Sequence, residues 1–169
     1  MILEMNRKAL YFLMFFFLVI SSFFIIKKLQ KKAPPVINLS GLVLKDLNGN
    51  LINLNKFNGK PLIINYWATW CGPCREEFPI FEKVYKKYGN QINFLMVSAE
   101  PIDKIIQYKN SNNYSLQFGQ LQKQLNQLAI TSIPVTAIYT AEGKLLTTKT
   151  IPLTELLLLE IVADLIKKK

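Results

Sequence analysis

Cys71 and Cys74 are the only cysteines of a 169-residue chain that contains no histidine. A Cys-x-x-Cys pair opening a helix sets the first sulfur among unpaired N–H groups at the positive end of the helix dipole, which favours its thiolate. Cys71 is therefore the expected nucleophile. Cys74, one turn deeper, can close a disulfide with it and suits the resolution of a mixed disulfide. Two thiolates without a histidine or a second cysteine pair cannot complete a tetrahedral zinc shell, and so short a span staples almost no loop. Neither a metal site nor a purely structural bridge is expected, and no cofactor is implied. The missing imidazole also removes His general-base catalysis and Cys-His proteolysis. Gly72 allows a tight turn and Pro73 fixes one φ angle, so the pair is preorganised in both redox states. No charged or aromatic residue between the cysteines adds to the stabilisation of the thiolate, which points to a reductant nearer about −270 mV than to an oxidant near about −120 mV.

The flanking pattern supplies a scaffold. Pro61–Trp67 is a short apolar run of the kind a buried central strand needs, and it leads straight into the cysteines. From Cys74 to Tyr88, Phe78, Phe81, Val84, Tyr85 and Tyr88 recur at three- and four-residue steps, predicting an amphipathic helix with Glu76 and Glu77 as dipole-compensating surface charges in its first turn. Pro79 is expected to kink it, and Gly89 to end it. Upstream, Leu42–Leu44 and Leu51–Leu54 flank Asn48-Gly49, a hairpin signal. Downstream come a strand over Ile92–Ser98 and helices over Pro101–Lys109 and Leu121–Leu128. Strands over Pro134–Tyr139 and Leu145–Thr150 and a last helix over Thr154–Lys167 complete the pattern.

Ahead of this domain, Ala9–Ile26 holds no charge and is long enough to cross a hydrocarbon core of about 30 Å with help from its flanks. It is longer than a signal-peptide core and no small-x-small site precedes Lys27, so an uncleaved anchor is expected. Residues 1–35 read as anchor and linker, and 36–169 as the working domain. The net charge of +10 divides evenly. Arg7, Lys8, Lys27, Lys28, Lys31 and Lys32 against Glu4 place half of it at the anchor, and Lys167–Lys169 hold most of the rest. No basic stripe remains for nucleic acid. The lysines after the anchor outnumber those before it, a bias toward a cytoplasmic domain, although long folded domains translocate largely regardless of such charge.

The run Asn65-Tyr66-Trp67-Ala68-Thr69-Trp70-Cys71-Gly72-Pro73-Cys74-Arg75-Glu76-Glu77-Phe78-Pro79, with Thr131-Ser132-Ile133-Pro134-Val135-Thr136, resembles the thioredoxin superfamily and within it the membrane-tethered TlpA-like and ResA-like branch. The resemblance covers about Asn38–Lys167. It implies a thioredoxin-like α/β fold, a central mixed sheet flanked by helices, with an added N-terminal β-hairpin and one preceding transmembrane helix. It also implies a cis bond before Pro134, so that Ile133 offers its backbone to a substrate strand. Trp70, Gly72, Pro73, Ile133 and Pro134 form the expected substrate contact, whereas Trp67 is assigned to the core. Asn65 stands where thioredoxin has a buried aspartate. The branch often places an acid after the following strand, and Glu100 falls there, either as a general base for Cys74 or as a loop residue before Pro101.

The resemblance implies a thiol-disulfide oxidoreductase. It would be anchored through residues 9–26, with its domain outside the cytoplasm. A membrane thiol-relay protein would supply its electrons, and it would reduce disulfide-containing partner proteins, for example in cytochrome c maturation. Disulfide formation or isomerisation in secreted proteins is the alternative within redox chemistry. A tethered binding module without turnover is the alternative of another class, and a thiol peroxidase would need Arg75 beside the nucleophile.

Overall fold

The computed structural model describes residues 7–29, 33–57 and 59–167. The chain divides into two compact units, Met1–Ala33 and Pro34–Lys169. In the first, α1 (Arg7–Leu29) is a single helix whose segment Lys8–Ile25, at a mean hydropathy of 2.1, is long and apolar enough to cross a membrane. Lys31, Lys32, Lys168, Lys169 and Glu4, which enter the charge balance, lie outside the described residues.

The second unit is built on β1 (Leu44–Lys45), β2 (Leu62–Trp67), α2 (Gly72–Tyr88), β3 (Asn93–Ser98), α3 (Ile102–Ser111), β4 (Gln117–Leu121), β5 (Val135–Tyr139), β6 (Leu145–Lys149) and α4 (Glu155–Lys167). One mixed sheet runs in the order β1-β4-β3-β2-β5-β6. Its centre, β2, β3 and β4, is parallel, while β1, β5 and β6 pair antiparallel. Central parallel strands are covered on both faces and so read as continuous apolar runs. All six residues of β2 are buried.

Alternation along β2 separates two cores. Ile63 and Trp67 pack with Phe78 and Phe81 of α2, Ile105 of α3 and Leu158 and Val162 of α4. Leu62, Ile64 and Tyr66 pack on the other face with Ile37, Leu42, Phe57 and Ile130, which belong to the N-terminal segment and the β4–β5 crossover.

Two expected elements change. Leu121–Leu128 is not a helix: Gln117–Leu121 forms β4, and only Leu125–Leu128 makes a 3-10 turn. β4 carries Gln117, Gly119 and Gln120 and lacks a strong strand pattern, yet Met96 and Val97 of β3 pair with Phe118 and Gly119 and pull it into the sheet. The hairpin is also smaller than expected. Asp46–Gly49 turns with Gly49 at φ 84°, and its arms meet at a bridge from Lys45 to Leu51 flanked by the bonds Asp46 N–H to Asn50 O and Ile52 N–H to Leu44 O, while β1 itself pairs with β4, before a 3-10 turn at Leu54–Phe57.

Candidate active site

Strand β2 ends at Trp67, and the chain turns through Ala68, Thr69 and Trp70 into α2. Cys71 is the N-cap residue of that helix, with φ −81° and ψ 104°. The N–H of Cys74 points at Cys71 Sγ at 3.3 Å, one of the four donors a helix start leaves without an intrahelical partner. The two sulfurs form a disulfide, with Cα atoms 5.3 Å apart. Cys74 is fully buried and Cys71 is 4 % exposed. The pair is thus approached from the Cys71 side, where Gly72, Pro73 and the 73 %-exposed Trp70 surround it. The Ile133–Pro134 bond is cis, and the Ile133 carbonyl oxygen lies 3.8 Å from Cys71 Sγ. Segments some sixty residues apart in sequence therefore meet at the first sulfur. Trp67 is buried beneath, its ring centroid 4.7 Å from that of Phe78 and 4.8 Å from that of Tyr108.

Glu100 sits behind this turn. Its carboxylate accepts the Thr69 N–H at 2.6 Å and the Thr69 hydroxyl at 2.8 Å, and the Ser98 hydroxyl lies 3.3 Å away. Its own carbonyl accepts from Gln120 Nε2 at 3.0 Å. These contacts tie the turn before Cys71 to the end of β3. Among the described residues, its carboxylate's hydrogen bonds run to Thr69 and Ser98 rather than to a cysteine. A cavity of about 350 Å³ opens beside it, bounded by Trp70, Ala99, Glu100, Gln124, Leu125 and Asn126.

The first-turn placement of the acids is corrected. Neither lies in the first turn of α2, and only Glu76 is exposed. Glu77 is 2 % exposed, three residues after Cys74 and so on the same helix face. Its Oε1 accepts from Asn65 Nδ2 at 2.7 Å and its Oε2 from the Leu153 N–H at 2.7 Å. Burial pushes its carboxyl up, and those two donors hold it back only in part, leaving it at about 7. The signal was present in the sequence: position 77 falls on the stripe of Cys74, Phe78 and Phe81, which the helical period turns inward.

Glu82, further along, is held the opposite way. Burial raises its proton affinity, but N–H groups of Ser115 and Leu116 and the Lys86 ammonium outweigh that and lower it below the usual range. Arg75 is exposed and its positive charge acts on the phenols of Tyr108 and Tyr114. Pro79 remains within a continuous α2, on its exposed side. Gly89 ends the helix in right-handed geometry, where a Cβ would fall 2.8 Å from the Tyr85 carbonyl oxygen.

A mixed sheet with a helix opening on a Cys-Gly-Pro-Cys disulfide, opposed by a cis-proline loop, defines a thioredoxin-like protein. The family model described as AhpC/TSA matches residues 30–146, more than half of the chain, and the chain belongs to that family. It is similar to the thiol-disulfide oxidoreductase ResA of Bacillus subtilis, 30 % identical over 117 residues, which cover 67 % of this chain and 65 % of ResA. It is also similar to the thioredoxin-like protein YneN of the same organism, 36 % identical over 106 residues, or 59 % of this chain and 62 % of YneN. The chain thus spans slightly less than two thirds of the length of these relatives. A thioredoxin-family thiol:disulfide interchange protein of Chlorobium tepidum TLS shares the fold at a TM-score of 0.64 and 20 % identity, over 81 % of this chain and 99 % of that one.

Proposed function

We propose that this protein is a membrane-tethered thiol-disulfide oxidoreductase that reduces disulfides of extracytoplasmic partner proteins. Residues 1–35 serve as anchor and linker, and 36–169 as the catalytic domain. The observation that carries the reading is the Cys71–Cys74 disulfide, closed at the start of α2 with its first sulfur facing the Ile133 backbone. Trp70, Gly72, Pro73, Ile133 and Pro134 surround that sulfur and receive the partner strand.

In the reduced protein the Cys71 thiolate attacks one sulfur of the partner's disulfide, and the other partner sulfur leaves as a thiolate that takes a proton from solvent. Cys74 then attacks Cys71 Sγ, its thiol proton passes to the Glu77 carboxylate, and the second partner sulfur departs as a thiolate that also takes a proton from solvent. The enzyme is left oxidised and the partner holds two thiols. A carboxyl that titrates near neutrality inside an apolar core suits this transfer. Glu100 positions the Thr69–Cys71 turn. Turnover requires an electron donor that returns the disulfide to the dithiol, for which a membrane thiol-relay protein is the proposed class. Apocytochrome c, whose haem-attachment cysteines must stay reduced, is the proposed example of a partner.

The equilibrium potential of the couple, titrated in the full chain in detergent against dithiothreitol or glutathione, tests the direction. A value near or below about −250 mV is expected for a reductant supplied by a dedicated donor. A value above about −180 mV would instead assign the protein to disulfide formation or isomerisation. Cys71→Ser abolishes exchange under either redox reading, whereas a binding module without turnover would keep its function.

A further inference from the structure

Asn65 is fully buried in β2 and donates from Nδ2 to Glu77 Oε1 at 2.7 Å and to Thr136 Oγ1 at 3.1 Å. Its Oδ1 is buried and meets no donor among the described residues. A buried amide oxygen without a partner costs about 1–3 kcal/mol, so an apolar residue would serve packing better. The neighbours indicate what the amide provides. A primary amide has donors on one side and an acceptor on the other, and a rotation of 180° about χ2 exchanges them with almost no change of shape. Facing an ionised Glu77, it presents N–H. Facing a protonated Glu77, the rotated amide presents Oδ1 to the carboxylic O–H on Oε1. The Thr136 hydroxyl serves both orientations, because it can accept from Nδ2 or donate to Oδ1. Leu153 N–H remains on Oε2 throughout.

We infer that Asn65 is a positioning residue that keeps Glu77 hydrogen-bonded in both protonation states, reversing its amide as the Cys74 proton arrives and departs. The proton passes from Cys74 to Glu77, and Asn65 itself gains and loses none. This rests on the reading of Glu77 as the proton acceptor.

Other titratable groups around Glu77 are placed so that they do not substitute for the amide. On α2, Glu76 is exposed and Glu82 is turned toward Ser115, Leu116 and Lys86. On α4, Glu155 pairs with Lys83 at 2.6 Å, and Glu160 and Asp164 are exposed. Tyr66 of β2 and Tyr139 of β5 belong to the core on the opposite face of the sheet. The cysteines on α2 are the reacting groups themselves.

The test uses the reduced full chain in detergent micelles, with the Glu77 carboxyl carbon and the Asn65 Nδ2 group followed by NMR across pH. The Asn65 resonances are expected to shift with the same midpoint as Glu77. Asn65→Leu, which has no N–H for the carboxylate, is expected to raise the Glu77 midpoint by about one pH unit or more, with the pH profile of mixed-disulfide resolution moving in step. Asn65→Asp sets a second carboxyl against Glu77 and also raises it. Asn65 resonances that stay constant while Glu77 titrates would overturn the inference, and that measurement on the unaltered protein stands even where the variants do not fold. An unchanged Glu77 midpoint in a folded Asn65→Leu protein would overturn it as well. A midpoint that moves while the rate profile does not would support the role of Asn65 and refute Glu77 as the proton acceptor.

Discussion

Replacing Glu77 by glutamine isolates the energetic consequence of burying an acid on the helix face that carries Cys74. The folded protein holds this carboxyl at about 7 against an ordinary 4.5. Between those values the unfolded chain has released the proton and the folded chain keeps it, so the folded state binds more protons and stability falls as pH rises. Above about pH 7 the difference is complete and amounts to about 3 kcal/mol of stability lost relative to acid solution. The glutamine side chain cannot titrate, yet it fits the same contacts. Its Oε1 can accept from Leu153 N–H, and its Nε2 can donate to a rotated Asn65 amide, whose oxygen has no donor among the described residues. Urea unfolding of the disulfide-closed full chain in mild detergent, from pH 4 to pH 8, reads the effect. Glu77→Gln is expected to match the unaltered protein near pH 4 and to exceed it by about 3 kcal/mol at pH 8, a midpoint difference of about 1–3 M urea for ordinary denaturant slopes. Stability curves that run parallel across this range would refute a raised Glu77 carboxyl.

Glu82 behaves with the opposite sign. Its carboxyl is lowered in the fold, so its contribution is present above the unfolded value of 4.5 and lost as pH falls through the folded one; Glu82→Gln is expected to cost about 1–3 kcal/mol at pH 7 and little in acid, measured by the same unfolding assay. Glu100→Ala removes the acceptor for the Thr69 N–H and is expected to cost about 1–3 kcal/mol while leaving the pH midpoint of disulfide exchange in place, whereas a shifted midpoint would make Glu100 the base. Cys74→Ser is expected to accumulate a mixed disulfide on Cys71 with a protein substrate, visible on non-reducing gels and released by dithiothreitol.

Much of the scaffold is legible because it depends on near neighbours in the chain. The apolar run of β2, the three- and four-residue spacing of α2 and the turn at Asn48-Gly49, with Gly49 at φ 84°, each follow from local pattern. Strand β4 escapes such reading because its residues are strand-forming only once β3 presents a partner edge. The hairpin arms shrink for a related reason: Ile52 and Leu54 pack into the core beside Leu42 and Phe57 instead of extending a ladder.

The sequence by itself determined that the chain carries one cysteine pair at a helix start, no imidazole and a candidate membrane segment ahead of the domain. Composition and short-range spacing carry that information, since a disulfide across three residues requires only one turn of helix. Tertiary structure alone decided what surrounds the acid on the Cys74 face of α2. Glu77 is joined to Asn65 twelve residues upstream and to Leu153 seventy-six residues downstream, and Asn65 reaches Thr136 across seventy-one. A carboxyl's proton affinity depends on the water removed from it and the donors aimed at it. Both are set when β2, β5, α2 and the segment before α4 close on one another.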